Sequence, residues 1–357
     1  MDASQYQTSD KTQTPAQVIS SNNIHGYYWL MIASVMSICQ FPTLVLAASP
    51  ELSMREFSSG QIKKGVRSIG FGGDGATWGN YGLVWKDAGT ALADYGNTGY
   101  TNGNDFQFEA VGFTSPALWH DMVIYVIAMD EQSNKVSFND KSPGLGPVAV
   151  PVAGSGKDRA VFTKIAMPLG HGISAGVLLS YEKSDFQAAD AANANQTISY
   201  KTLWRPSGGY GVTWQPSSTI LLGFRALFNN DLEQRTDSAG LAQGSAHSSE
   251  YRLGGSFVPW DGALFDIGAT RLERSRSLDA FYAIAYHPNL GFEQKLPESA
   301  VTVRMGLDET SPTIGLSYKF TPFNLDVAYV KNMAYARVGD LFGTASNSLV
   351  MTLTAHY

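Results

Sequence analysis

The last ten residues, Ser348-Leu349-Val350-Met351-Thr352-Leu353-Thr354-Ala355-His356-Tyr357, constrain the fold more than any other stretch. Side chains alternate across a strand with period two. Leu349, Met351, Leu353, Ala355 and Tyr357 therefore share one face, and Val350, Thr352, Thr354 and His356 the other. An apolar, uncovered strand that ends on an aromatic is out of place in a soluble sandwich. It suits the closing strand of a transmembrane β-barrel, whose last aromatic sits in the interfacial girdle.

The same period recurs from about residue 104 onward. Val301, Val303, Met305 and Leu307 oppose Thr302, Arg304, Gly306 and Asp308. Ile314, Leu316, Tyr318 and Phe320 oppose Thr313, Gly315, Ser317 and Lys319, and Leu325, Val327 and Tyr329 oppose Asp326 and Ala328. Tyr251, Leu253 and Phe257 oppose Glu250, Arg252 and Ser256, while Phe265 and Ile267 oppose Asp266 and Gly268. A sandwich core alternates too. What separates the two is the second face, which mixes Gly, Ser and Thr with isolated charges, as a wet or tightly filled lumen would.

Connection lengths give an independent test. Short turns fall at Ser115–Leu118, Pro168–Gly172, Gln215–Ser218, Pro259–Gly262 and Thr321–Phe323. Long polar connections fall near 131–157, 184–195, 230–247 and 334–347. Bacterial barrels keep short turns in the periplasm and long loops outside. Walking back from the C-terminal strand puts every long connection outside and those short turns inside, provided that 196–215 is one long strand kinked around Pro206-Ser207-Gly208-Gly209. The Pro288–Glu298 connection is the longest on the inner side. The walk yields strands near 104–114, 119–130, 158–167, 172–183, 196–215, 218–229, 248–258, 262–274, 279–287, 299–308, 311–320, 323–333 and 348–357. Single-chain barrels have even strand numbers, so an upward strand is expected before residue 104, and Arg67–Thr77 is the obvious segment. The expectation is an all-β transmembrane antiparallel barrel of about fourteen strands. Residues 49–103 are read as a plug-like region that includes that first strand, with 78–103 (Asp87–Tyr95 having a helical look) as outer loop or inward-folded plug. Residues 104–357 form the rest of the barrel.

Composition agrees. Glycine (36) and aromatics (12%) are abundant and charged residues are few at 16%. No interior stretch approaches about 18 consecutive apolar residues, which excludes a bundle of membrane helices. A net charge of −6 gives no reason to expect nucleic acid. The single Cys39 lies in the N-terminal apolar run, so disulfides and thiolate metal sites are excluded from the mature chain. Residues 1–48 read as a polar leader plus signal peptide: Tyr27–Ala48 is apolar and ends in small residues that suit cleavage after Ala47 or Ala48. A signal anchor is the rival reading of that segment.

Arg67-Ser68-Ile69-Gly70-Phe71-Gly72-Gly73 resembles the Ala-Arg-x-Leu-Gly-x-Gly-Gly-Ala start of the FadL-like outer-membrane proteins, a superfamily of long-chain fatty acid and aromatic hydrocarbon transporters that also includes PorV-type secretion components. Asp87-Ala88 is a partial match to the next motif, and the Asn-Pro-Ala that follows it in those chains is absent. Ile314–Pro322 followed by Leu325–Tyr329 is similar to their paired strands around a Thr-Pro turn. The resemblance implies a fourteen-stranded bacterial outer-membrane barrel with an N-terminal plug around Gly70, Gly72, Gly73 and Asp87. It implies a hydrophobic small molecule as ligand, with outer-membrane lipids, including lipopolysaccharide, as surroundings.

The inner-face charges carry the remaining chemistry: Lys164, Arg225, Glu250, Arg252, Asp266, Arg304, Asp308, Lys319 and Asp326. Unpaired charges in a narrow interior are costly, so they should pair across strands. Such pairs read as a salt-bridge ladder filling the lumen. The other reading is a charged wall for a polar pore or a ligand carboxylate, held by Arg304 or Arg252 through bidentate hydrogen bonds. His120, His171, His247 and His287 are scattered, with no metal-ligand spacing, and His247-Ser248-Ser249 is a local coincidence, so no enzyme, metal or cofactor is expected. The leading function is passive passage of hydrophobic small molecules. The alternatives are a secretion-system or surface-assembly component with a protein partner, and a general porin for polar solutes.

Overall fold

A computed structural model of the chain describes residues 90–100, 105–140, 150–190, 197–202, 205–237, 240–277, 281–308, 311–331 and 346–356. The strands are β1 (Thr90–Tyr100), β2 (Asp105–Thr114), β3 (Val123–Asp140), β4 (Val150–Gly170), β5 (Ile173–Asp190), β6 (Thr197–Thr202), β7 (Arg205–Ser217) and β8 (Ile220–Asp237). They continue as β9 (Gly240–Phe257), β10 (Ala263–Arg276), β11 (Phe281–Lys295), β12 (Val301–Asp308), β13 (Ser311–Phe320), β14 (Phe323–Lys331) and β15 (Ser346–His356). The one helical element among the described residues is a 3-10 turn at Trp119–Asp121.

Apart from β6 and β7, which do not pair with each other, each strand pairs antiparallel with its neighbours in sequence, and β1 pairs with both β2 and β15, which closes the sheet. Segments β6 and β7 both lie between β5 and β8. They are two parts of one wall position, as the Pro-Gly kink in the sequence suggests. The result is a closed barrel of fourteen positions, in which no sheet edge is left open to lipid.

Burial follows the alternation. Along β13 the small and polar residues Ser311, Thr313, Gly315 and Ser317 are buried while Ile314, Leu316 and Tyr318 are exposed. The packed side is thus the lumen, and the apolar side is the outer surface. That outer surface carries Val111, Leu179, Leu253, Ile267 and Leu353, all exposed, the pattern of a wall solvated by hydrocarbon. At the short-turn end it meets a belt of exposed aromatics, including Trp119, Trp214, Phe257, Trp260 and Phe320. Trp260, Phe265 and Phe292 pack there, with the Phe265 and Phe292 ring centroids 4.7 Å apart. Aromatic belts mark membrane–water interfaces, so this is the inner mouth.

Two sequence expectations are corrected. The fourteenth wall position is filled by Thr90–Tyr100, not by 67–77, and the helical look of Asp87–Tyr95 gives way to a strand from Thr90. There Ala91, Ala93 and Tyr95 face out while Thr90 and Gly96 are buried, a period of two hidden by small residues. Second, β11 runs on to Lys295, leaving only 296–300 as the turn before β12. Pro288 sits inside that strand, opposite Ala269. Its missing N–H makes it a poor central-strand residue, which is why the sequence reading stopped there. The segment 67–77, the glycines Gly70, Gly72 and Gly73, Asp87, the leader and Tyr357 lie outside the described residues.

The inner turns need special backbone at a few places. Gly172 has φ of +74°, and a Cβ there would stand 2.3 Å from the carbonyl oxygen of Gln215. The same glycine accepts the Gln215 N–H at 2.8 Å. Only a residue without a side chain lets β5 and β7 meet this closely at the inner mouth.

Candidate functional site: the barrel lumen

The lumen is lined by two kinds of surface. One is ionic. On β8 and β9, Arg225 and Arg252 lie directly opposite one another, and both are buried. Like charges so placed repel. Glu250, two residues along β9 on the same face, relieves this: its Oε1 accepts from Arg225 Nη2 at 3.1 Å and from Arg252 Nε at 2.7 Å. Lys164 on β4 is also buried and close enough to Arg225 for the two charges to interact.

A second ionic group lies nearer the inner mouth. Arg304 on β12 donates from Nε to Glu293 at 2.5 Å and from Nη1 to Asp326 at 2.9 Å. Asp326 also accepts hydrogen bonds from the Ser317 hydroxyl and from Asn324 Nδ2, the latter at 2.5 Å. A third group centres on Asp266, only 2% exposed, which accepts from the Ser256 hydroxyl and from Asn289 Nδ2 at 3.3 Å.

The other surface is apolar. Ala110, Met129, Ala160, Phe162, Leu178 and Leu227 form one buried cluster, with Ile127 packed against it. These residues come from the inward positions of β2, β3, β4, β5 and β8. Cross-strand register brings them together: Ala110 faces Met129, Met129 faces Ala160, and Ile127 faces Phe162. The apolar cluster adjoins the cations. Lys164 faces Leu178 across β4 and β5, Phe162 is two residues along β4 from Lys164, and Leu227 is two residues along β8 from Arg225. In both strands the apolar residue lies on the outer side of the cation. Between β5 and β7, Ser180 and Ser207 face each other, and their buried hydroxyls have no hydrogen-bond partner among the described residues.

Of the inner-face charges named from the sequence, Lys164, Arg225, Arg252, Asp266, Arg304 and Asp326 are buried and Glu250 is half-buried. Lys319 keeps the inner-face register but is exposed at the mouth, where β13 turns into β14. The Asp308 side chain lies outside the described set. Both Arg304 and Arg252 are engaged by carboxylates of the barrel itself. Arg304 is held by Glu293 and Asp326, and Glu250 is shared by Arg225 and Arg252. Sequence reasoning missed Glu293 and Asn289 because they lie beyond Pro288. It missed the inward Phe162 because β4 is apolar on both faces there, with Val161 exposed beside it. The signal was the lysine two residues on, which fixes the inward parity.

No family model and no curated protein matches this sequence. Solved structures do. A FadL homologue from Pseudomonas aeruginosa superposes with a TM-score of 0.54 at 12% identity, over 82% of this chain and 97% of that one. The chain has the fold of the FadL-type outer-membrane barrels. The Pseudomonas putida toluene transporter TodX gives 0.53 at 8% identity, over 81% and 97% of the two chains. The monoaromatic hydrocarbon channel CymD gives 0.51 at 13% identity, over 82% and 97%. A FadL-type barrel is thus reached here with few shared residues: what is common is the closed wall and its alternation.

Proposed function

We propose that this barrel passes hydrophobic small molecules, of long-chain fatty acid or aromatic type, passively through its lumen. The observation that carries the proposal is the apolar cluster of the inner wall, Ala110, Met129, Ala160, Phe162, Leu178 and Leu227. A general porin needs a wet, polar passage, and a cluster of this kind favours a greasy guest instead. The buried Ser180 and Ser207 hydroxyls add polar atoms beside it, in keeping with sites that combine apolar walls with a few placed polar groups. The structural neighbours described as a toluene transporter and a hydrocarbon channel support the same class of cargo. For a carboxylated cargo the tail would lie on the cluster and the head would reach Lys164, Arg225 and Arg252, where charge-assisted hydrogen bonds are strongest.

The test is uptake by cells expressing the full chain. Placing amides on the apolar wall with Phe162→Asn and Leu178→Asn forces polar groups to be desolvated as cargo passes, at about 1–3 kcal/mol, so uptake of a long-chain fatty acid and of toluene should both fall on the order of tenfold. Arg252→Ala should slow the fatty acid alone. Unchanged uptake of both cargoes in a correctly folded double variant overturns the proposal.

A further inference from the structure

The outer surface of β2 to β5 carries a row of charges that the lumen does not explain. Glu109 faces Asp130, Asp130 faces Arg159, and Arg159 faces Lys183. All four stand in outward register, in line with the exposed Val111, Val161, Leu179 and Tyr181. The central pair is of opposite sign, but Asp130 is drawn the other way. Its Oδ2 is 2.7 Å from Lys157 Nζ and 3.9 Å from Arg159 Nε. Arg159 is thus loosely held, and its side chain is 55% exposed. Among the described residues Lys183 has no carboxylate within ion-pair distance, and Asp185, two residues farther out, stands across from Lys157. Two cations directly opposite one another on a sheet destabilise it unless an anion lies between them.

Height decides which anion. Lys183 is ten residues beyond Ile173 at the inner end of β5. At about 3.3 Å per residue and a tilt of about 40°, it stands roughly 25 Å above the inner mouth, the full height of the apolar band. The pair is therefore at the outer interface, directly above lipid-facing Leu179 and Tyr181. We infer that Arg159 and Lys183 bind the phosphate of an outer-leaflet lipid headgroup, with the acyl chains lying on Val161, Leu179 and Tyr181 below. The guanidinium supplies a forked donor set and the ammonium a point charge, a pair suited to phosphate oxygens.

The probe is diphosphorylated lipid A, added to the purified full chain in detergent and followed by native mass spectrometry. The chain should retain lipid A, and Arg159→Gln with Lys183→Gln should weaken retention on the order of tenfold or more, since each cation near a membrane surface contributes about 1 kcal/mol to anionic lipid binding. The swap Arg159→Lys with Lys183→Arg should keep most of it, which separates charge loss from misfolding. Lipid A stripped of phosphate should bind the chain and the Gln variant alike. Equal retention of diphosphorylated lipid A by the chain and the Gln variant overturns the inference. So does retention of phosphate-free lipid A by the unaltered chain at the level of diphosphorylated lipid A. Displacement of lipid A by millimolar inorganic phosphate would also overturn it, since it would show a site for free phosphate.

Discussion

Arg304→Ala is expected to cost about 3–5 kcal/mol of barrel stability, the loss that follows when one partner of a buried ion pair is removed. The guanidinium is the only described group that bridges Glu293 and Asp326, and the side chains of all three are less than one-seventh exposed. Without it, the carboxylates of Glu293 on β11 and Asp326 on β14 lose the cation they share, with Ser317 and Asn324 as the remaining donors to Asp326. The measurement is the urea midpoint of the refolded barrel, read by its inner-mouth tryptophans. Combining Arg304→Gln with Glu293→Gln and Asp326→Asn removes all three charges while keeping shape and hydrogen-bonding groups, and should recover most of the loss. If the single variant unfolds at the same urea concentration as the parent, the pairs are ornaments of the wall and not part of its strength.

Leu253→Arg is the second large effect. Leu253 is 65% exposed, and in a water-soluble protein an exposed leucine tolerates arginine with little change. Here it faces outward on β9, four residues before Phe257 at the inner mouth. That places it roughly 10 Å into the apolar band, close to the midplane. An arginine at this depth should cost about 2–4 kcal/mol. Arginine at Leu241, which is exposed to a similar degree but lies at the outer end of the same strand, should cost less than about 1 kcal/mol, because the penalty vanishes near the interface. Folding into lipid vesicles of defined thickness, followed by band shift on unheated gels, reports both. Equal behaviour of the two variants would mean that the wall does not meet hydrocarbon at Leu253.

The two arginine substitutions rest on parts of the structure that were legible in the sequence to different degrees. Parity of the strands was fully legible from Leu253 and Arg252 to Leu353 and Thr352, because one face must be apolar for lipid and the other cannot be. Strand ends were legible on the inner side, where Gly172, Gly262 and Thr321-Pro322 punctuate tight turns. They were not legible on the outer side. Stretches read as loops, such as 230–237 and 240–247, continue as a paired polar ladder, since strands that have left the lipid no longer need an apolar face. The first strand was misplaced for a related reason. Ala91, Ala93 and Gly96 give a weak period, and the glycine-rich stretch at 67–77 looked stronger. In the lumen the charges were found but their partners were not. Glu293 lies beyond Pro288, and the shared use of Glu250 by Arg225 and Arg252 depends on a register that one strand alone does not reveal. The apolar inner wall was the least legible part, because Phe162, beside Val161 on a strand apolar on both faces, looks the same in sequence as a lipid-facing residue.

The most direct test is the initial rate at which a radiolabelled long-chain fatty acid enters cells that lack their own outer-membrane fatty acid transporter, with and without this chain. Faster entry on expression, together with no gain in entry of a polar sugar of similar mass, is the expected result. A gain for the sugar and none for the fatty acid would contradict a hydrophobic route through the lumen.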